Sequence, residues 1–133
     1  MASHILLYHG VTSSKSFGIE NYSKKHINIK LFEKQMKFLK KNRTVVPLRK
    51  IRQIKNSVAI TFDDTFKNVY TNALPILKKY SLPATFFITT GFVGSSKNFW
   101  VDKLEMYVNF CTKKELNYNF YLIKKKLNLK NKK

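Results

Sequence analysis

The sequence predicts an α/β fold in which parallel strands alternate with helices. Residues 58–62 and 84–89 are apolar on both faces, a pattern typical of strands in the middle of a parallel sheet covered on both sides. Each of these segments is preceded by a stretch with apolar residues at helical spacing. Such alternation is typical of an α/β sheet or barrel with right-handed crossovers.

The remaining elements follow from local sequence. Residues 5–8 predict a short buried strand, and the Ser-, Gly-, Lys- and Asn-rich residues 11–26 predict a long loop. A helix is predicted over residues 28–41 with Asn28 as its N-cap, followed by a short strand at residues 44–46. A short helical or irregular connection then leads to residues 58–62.

The helix after residues 58–62 contains a proline. Apolar residues from Val69 to Tyr80 share one stripe, but Pro75 falls within it, so the helix must kink or begin afresh there. A further helix is predicted from residue 101. We expect two parts in the chain: a domain over residues 1–112, and a Lys- and Asn-rich helical or frayed tail over residues 113–133.

The net charge of +19 is the most conspicuous feature of the composition. A basic surface attracts nucleic acid and anionic lipid without specificity. Only Arg43, Arg49 and Arg52 are arginines, whereas sequence-reading nucleic-acid sites depend on arginine forks. We therefore expect no specific nucleic-acid partner and mostly a solvated lysine face.

Three observations bear on the compartment. No segment has the length of a transmembrane helix, and the N-terminus lacks a basic region followed by a long apolar stretch. Cys111 is the single cysteine, which excludes an intrachain disulfide and suits a reducing compartment. The sequence thus predicts no transmembrane segment, no signal peptide and a cytoplasmic location.

Asp63 and Asp64 stand at the end of the apolar segment 58–62 and account for two of the seven acidic residues. Adjacent carboxylates disfavour each other's charge unless a cation or a proton lies between them. A divalent metal is one explanation. A solvated turn that caps the next helix is the other, because aspartate favours N-caps. His9 and the loop 89–91 are predicted at the same edge, where α/β folds gather their chemistry.

Several blocks of sequence, in order, resemble the polysaccharide deacetylase family, also called the NodB-homology or chitin deacetylase-like carbohydrate esterases. The blocks are residues 7–11, 32–39, 61–64, 72–77, 82–87, 90–94 and 99–105. The resemblance implies the N-terminal part of a distorted (β/α) barrel that removes acetyl groups from an N-acetylated or O-acetylated carbohydrate. It also implies a divalent metal such as zinc, with Asp63 as catalytic base and Asp64 as metal ligand.

The chain departs from the family pattern in two places. Thr65 follows Asp64 where the family usually has glycine, which tolerates backbone angles that threonine resists. The downstream His-Ser/Thr-x-x-His metal motif is absent, and no histidine follows His26. We therefore expect a truncated, incomplete barrel that is inactive alone and completed by another chain or a C-terminal half. The alternatives are a pseudoenzyme or interaction fragment, and a Lys-rich module that binds nucleic acid or acidic glycans.

Overall fold

The computed structural model describes residues 2–13, 21, 24–112, 115–120 and 123–128. The chain divides into two compact units. The first contains Met1–Lys15 and Lys24–Ser95, and the second contains Ser16–Ser23 and Ser96–Lys133.

The first unit contains six strands and two α-helices within the described residues. In chain order they are β1 (His4–Tyr8), β2 (Gly10–Thr12), β3 (His26–Asn28), α1 (Ile29–Asn42), β4 (Thr44–Val45), β5 (Ser57–Phe62), α2 (Leu74–Lys79) and β6 (Thr85–Phe86). Single 3-10 turns lie at Leu48–Lys50 and Thr90–Phe92, and a π-helical segment at Val69–Ala73 precedes α2. The second unit contains α3 (Trp100–Phe110), β7 (Glu115–Phe120) and β8 (Ile123–Asn128).

Strand β5 is the centre of the main sheet. It pairs in parallel with β1, in a register that sets Tyr8 opposite Phe62. Strands β4 and β6 also pair with β5 in parallel, near its start and its end respectively. All six residues of β5 are buried. The parallel α/β class predicted from the two-faced apolar segments is therefore confirmed.

One face of β5 packs on the helices. Its side chains Val58, Ile60 and Phe62 belong to a single apolar cluster. Helix α1 contributes Phe32, Met36 and Leu39 to that cluster, and α2 contributes Ile76 and Leu77. Burial of these side chains is the main source of stability for the unit, because apolar area removed from water stabilises a fold by roughly 25 cal/mol per Å².

Two local predictions about the helices are confirmed. The Asn28 side chain accepts a hydrogen bond from the Lys30 backbone N–H at 2.9 Å, so Asn28 is the N-cap of α1. The predicted interruption at Pro75 takes the form of a change in winding, because the π-helical segment gives way to α-helix at Leu74. Pro75 thus lies in the first turn of α2, where its missing N–H costs little.

The first strand and the loop after it differ from prediction. Strand β1 was predicted to be buried, yet Ile5 and Leu7 are 55% and 56% exposed, because among the described residues only one face of β1 is covered. The predicted loop 11–26 is bounded by the short parallel pair β2 and β3. Residues 14–20 and 22–23 of that loop lie outside the described residues.

Two further segments also differ from prediction. Residues 84–89 form a strand only over Thr85–Phe86. A helix is wrong for most of the tail, because β7 and β8 form an antiparallel pair there. Residues 113–114, 121–122 and 129–133 lie outside the description, and the division of the chain at residue 112 stays a prediction.

Within the described ranges, no helix combines the length and the apolar character that crossing a bilayer requires. This finding does not test the predicted cytoplasmic location, which stays a prediction.

Candidate functional site

Asp63 and Asp64 directly follow the last residue of β5. Because β1, β5 and β6 are parallel, the residues after each strand meet at one edge of the sheet. His9, which follows β1, lies at this edge and is half-buried. An open depression at the edge is lined by Asp63, Asp64, Phe87, Ile88 and Thr89. The predicted position of the aspartate pair at a strand end is confirmed.

The backbone around the pair forms a tight turn. The Asp63 N–H donates to the Tyr8 carbonyl at 2.9 Å, which extends the β1–β5 pairing by one residue. The Thr65 N–H donates to the Asp63 carbonyl at 2.7 Å. Asp64 and Thr65 have φ angles of 61° and 47°, both in the left-handed region. Threonine is β-branched and disfavours this region, so the turn keeps a conformation suited to glycine without having one.

A side-chain bond links the turn to the neighbouring strand. The Thr65 hydroxyl donates to the Phe87 carbonyl at 3.1 Å, and the Phe87 N–H donates to the Phe62 carbonyl at 2.8 Å. Phe87 therefore receives one hydrogen bond from the turn and gives one to β5. These bonds fix the distance between two walls of the depression.

An aromatic stack lies one residue below the edge. The Phe62 ring stacks on Tyr8 and on Phe86, with ring centroids 5.4 and 5.3 Å apart. Phe32 of α1 makes edge contacts with Tyr8 and Phe62, at 5.3 and 5.9 Å. The Tyr8 hydroxyl donates to Gln35 Oε1 at 2.8 Å, and burial raises the pKa of this hydroxyl. The stack holds together the ends of the three strands that carry the depression.

The structure tests the first alternative to a metal site, in which the aspartates cap the next helix. The chain is already helical at Lys67 and Asn68, before the π-helical segment, and no side-chain hydrogen bond caps that segment. Asp63 and Asp64 are half-buried beside the depression. Neither carboxylate therefore caps this segment.

The expected metal site is not assembled by the residues that the structure describes. Among them, no group of three or more His, Cys, Asp or Glu side chains lies close enough to hold a metal ion. Zinc sites use at least three protein ligands, and the two carboxylates and His9 at this edge do not group closely enough to supply them. His26 faces Asn68, with 3.1 Å between His26 Nδ1 and Asn68 Nδ2. The donors that the described residues bring together are therefore too few for a zinc site.

Sequence reasoning missed a polar cluster that joins the helix after the turn to β2 and β3. Asn72 Nδ2 donates to the Val11 carbonyl at 2.7 Å, and Asn68 lies one turn earlier against His26. Gly10 lies beside them, and a Cβ there would collide with the His26 ring. Asn68 and Asn72 are four residues apart, which places both on one helix face. This spacing is the feature of the sequence from which the cluster could have been predicted.

The chain is similar to polysaccharide deacetylases in sequence and in structure. The family model for polysaccharide deacetylase matches residues 50–127. The chain is 43% identical over 89 residues to the poly-beta-1,6-N-acetyl-D-glucosamine N-deacetylase of Staphylococcus aureus strain MSSA476. That match covers 61% of this chain and 30% of the relative. The protein of the same description from Staphylococcus epidermidis is 52% identical over 42 residues, covering 32% of this chain and 14% of the relative. The chain thus matches less than a third of the length of these relatives.

Solved structures are similar over most of the chain. IcaB from Ammonifex degensii superposes with a TM-score of 0.61 at 26% identity, covering 73% of this chain and 42% of that one. The Streptococcus pyogenes deacetylase PplD, solved in complex with acetate, gives a TM-score of 0.59 at 25% identity. Its match covers 78% of this chain and 50% of that one.

Proposed function

Because the chain belongs to the polysaccharide deacetylase family, we propose that it contributes to hydrolytic removal of acetyl groups from an N-acetylated carbohydrate. The name of its Staphylococcus relatives suggests a β-1,6-linked N-acetylglucosamine polymer as the substrate class. The observation that carries the proposal is the Asp63–Asp64 turn. It opens onto the depression at the carboxyl edge of the sheet, inside the part of the chain that the family model matches.

Asp63 has the role of general base in this proposal. Its backbone is held by the bond to Tyr8, while its carboxylate borders the open depression, where a water molecule and a sugar amide can enter. A carboxylate that removes a proton from an attacking water is a general base and typically contributes about 10²–10⁴-fold to the rate. Thr65 and Phe87 position the turn and do not react.

Asp64 is proposed as a ligand whose co-ligands come from elsewhere. The described residues do not complete a metal site with it, and no histidine follows His26 in the sequence. We therefore propose that β1, β4, β5 and β6 form part of a distorted (β/α) barrel. A histidine-bearing segment, in a C-terminal half or a separate chain, would complete the barrel and the site.

The test is acetate release from an N-acetylated β-1,6-glucosamine oligomer in the presence of Zn²⁺ or Co²⁺. We expect none above background from this chain alone. We expect release when the chain is mixed with the histidine-bearing remainder of a Staphylococcus relative. In that mixture Asp63→Asn should lower the rate by about a hundredfold or more. Asp102→Asn, a matched carboxamide change in α3, should leave the rate unchanged.

Two results would contradict the proposal. Metal-dependent acetate release by the chain alone would show that no completing segment is needed. Failure of the mixture, when the same remainder is active with the relative's own N-terminal half, would argue against the deacetylase role itself.

A pseudoenzyme or interaction fragment is the second candidate, favoured by the incomplete donor set among the described residues. It predicts a stable complex with the histidine-bearing remainder that is unaffected by Asp63→Asn and releases no acetate. Size-exclusion chromatography of the mixture, run beside the acetate assay, separates the two candidates.

A further inference from the structure

One face of α1 carries a stripe of lysines. Its members follow at intervals of four, three and four residues, which aligns them along the helix: Lys30, Lys34, Lys37 and Lys41. All four side chains are exposed. The only acidic residue of α1 is Glu33, which forms an ion pair with Lys79 of α2 at 2.6 Å. The stripe covers a length of about 16 Å, because an α-helix rises 1.5 Å per residue.

Two apolar side chains border the stripe. Leu31 is 50% exposed and Phe38 is 56% exposed, although the core of the unit lies beneath the same helix. Lys34 is three residues after Leu31 and four before Phe38, so the three side chains are neighbours on the helix surface. Large apolar side chains next to a row of lysines are typical of helices that lie on a membrane surface.

The orientation of this face is fixed by the rest of the unit. Phe32, Met36 and Leu39 on the opposite side of α1 are buried in the core, and Asn28 caps the helix. The lysines and the two apolar residues are therefore presented together before any partner binds. A preformed surface does not lose conformational entropy to helix formation on binding.

We propose that this face of α1, formed by Lys30, Leu31, Lys34, Lys37, Phe38 and Lys41, docks on the surface of an anionic lipid bilayer. The ammonium groups contact lipid phosphates, while Phe38 and Leu31 enter the boundary between headgroups and acyl chains. A nucleic acid offers phosphates but no apolar layer to accept these two side chains. The proposal uses no residue of the depression and is independent of the proposed deacetylase function.

The test is co-sedimentation of the full chain with vesicles. One set contains phosphatidylcholine alone, and the other contains phosphatidylcholine mixed with phosphatidylglycerol. We expect binding to the mixed vesicles only. Lys34→Gln combined with Lys37→Gln should weaken it about thirtyfold, because each lysine near an anionic surface contributes about 1 kcal/mol. Phe38→Ser combined with Leu31→Ser should weaken it about tenfold without changing net charge.

The chain supplies a matched control for the charge effect. Arg49 and Lys50 are exposed in or beside the 3-10 turn after β4. Replacing both with glutamine removes the same charge as the Lys34 and Lys37 pair, and we expect it to weaken binding at most twofold. Circular dichroism of each variant confirms that the exposed substitutions leave the fold intact.

Two outcomes would overturn the proposal. An equal loss of binding in the Arg49 and Lys50 variant would mean that net charge alone attracts the vesicles. Vesicle binding that is unchanged by Phe38→Ser combined with Leu31→Ser would show that the apolar side chains do not enter the bilayer, and would assign the face to a soluble polyanion instead.

Discussion

The hydroxyl of Thr65 donates a hydrogen bond to the carbonyl of Phe87 at 3.1 Å, and this bond connects the turn after β5 to the residue after β6. Thr65 holds a φ of 47°, a conformation that threonine disfavours. The bond thus compensates in part for a strained backbone beside the proposed catalytic base.

We expect Thr65→Val to lower the free energy of unfolding by about 0.5–1 kcal/mol, because the isosteric side chain keeps the β-branch and loses the bond. Urea denaturation measures the change. Thr71→Val is the control, since Thr71 is exposed and its bond to the Lys67 carbonyl is longer, at 3.4 Å. Equal effects of the two changes would contradict a special role for the Thr65 bond.

Gly10 is predicted to be intolerant of any side chain. A Cβ at Gly10 would meet the His26 ring and would lie 2.7 Å from Asn68 Oδ1. Gly10→Ala should therefore destabilise the chain by about 1–3 kcal/mol through overpacking. Gly91→Ala is the matched control, because a Cβ at Gly91 meets nothing within 4 Å. If both alanines have the same midpoint of thermal unfolding, the collision at Gly10 is not real.

The aromatic stack beneath the depression makes Phe62 sensitive to substitution. Phe62→Leu removes the ring contacts with Tyr8 and Phe86 and should cost about 1–2 kcal/mol of unfolding free energy. Phe110→Leu, at a side chain that is 78% exposed in α3, should have almost no effect. The two variants are compared by chemical denaturation under one set of conditions, and a neutral Phe62→Leu would refute the importance of the stack.

The pair formed by Glu33 and Lys79 gives stability a pH dependence in acid. The hydrogen bond from Lys79 is the main reason that the pKa of Glu33 lies below its ordinary value of 4.5, and the charge of Lys79 adds to this effect. The stability from a lowered carboxyl pKa is present above the unfolded pKa and is lost as pH falls through the folded pKa. The difference in stability between the native chain and Glu33→Gln should be constant near neutral pH and shrink below about 4.5.

The same pair shifts the pKa of Lys79 upward, and this shift affects stability at alkaline pH. The hydrogen bond to Glu33 raises the pKa of Lys79, so this contribution is lost only as pH rises through that raised value. In acid, a Lys79→Met variant should reduce the dependence that separates the native chain from Glu33→Gln, leaving only the smaller effects of Tyr80 and Lys37 on the pKa of Glu33. An undiminished dependence in the Lys79→Met background would contradict the pairing.

Local sequence predicted the elements whose conformation depends on residues nearby in the chain. The two-faced apolar pattern of residues 58–62 predicted β5 because a strand that is buried on both faces of its sheet has no polar face. Asn28 predicted the start of α1, and Pro75 predicted the interruption before α2. Both predictions succeeded because an N-cap and a missing N–H act within one helical turn. Asp63 and Asp64 were located correctly because the residues that follow parallel strands meet at the same carboxyl edge.

Features that depend on distant partners were not predictable in this way. The apolar residues of β1 give no indication that Ile5 and Leu7 lie on a face that the other described residues leave uncovered. In the tail, Leu116 and Phe120 fit a helical spacing, yet Leu116, Tyr118 and Phe120 also alternate as in a strand. The antiparallel pairing of β7 and β8 decides between the two periods, and it involves both segments at once.

The position of β5 has a consequence for synthesis of the chain. Its partners β1 and β4 precede it, and β6 follows it, so Tyr8 finds its pairing residue only after Phe62 has been made. Translation proceeds at roughly 5–20 residues per second, which leaves β1 unpaired for a time on the order of seconds. During that interval the nascent chain presents an unpaired apolar strand, the kind of surface that favours aggregation before folding is complete.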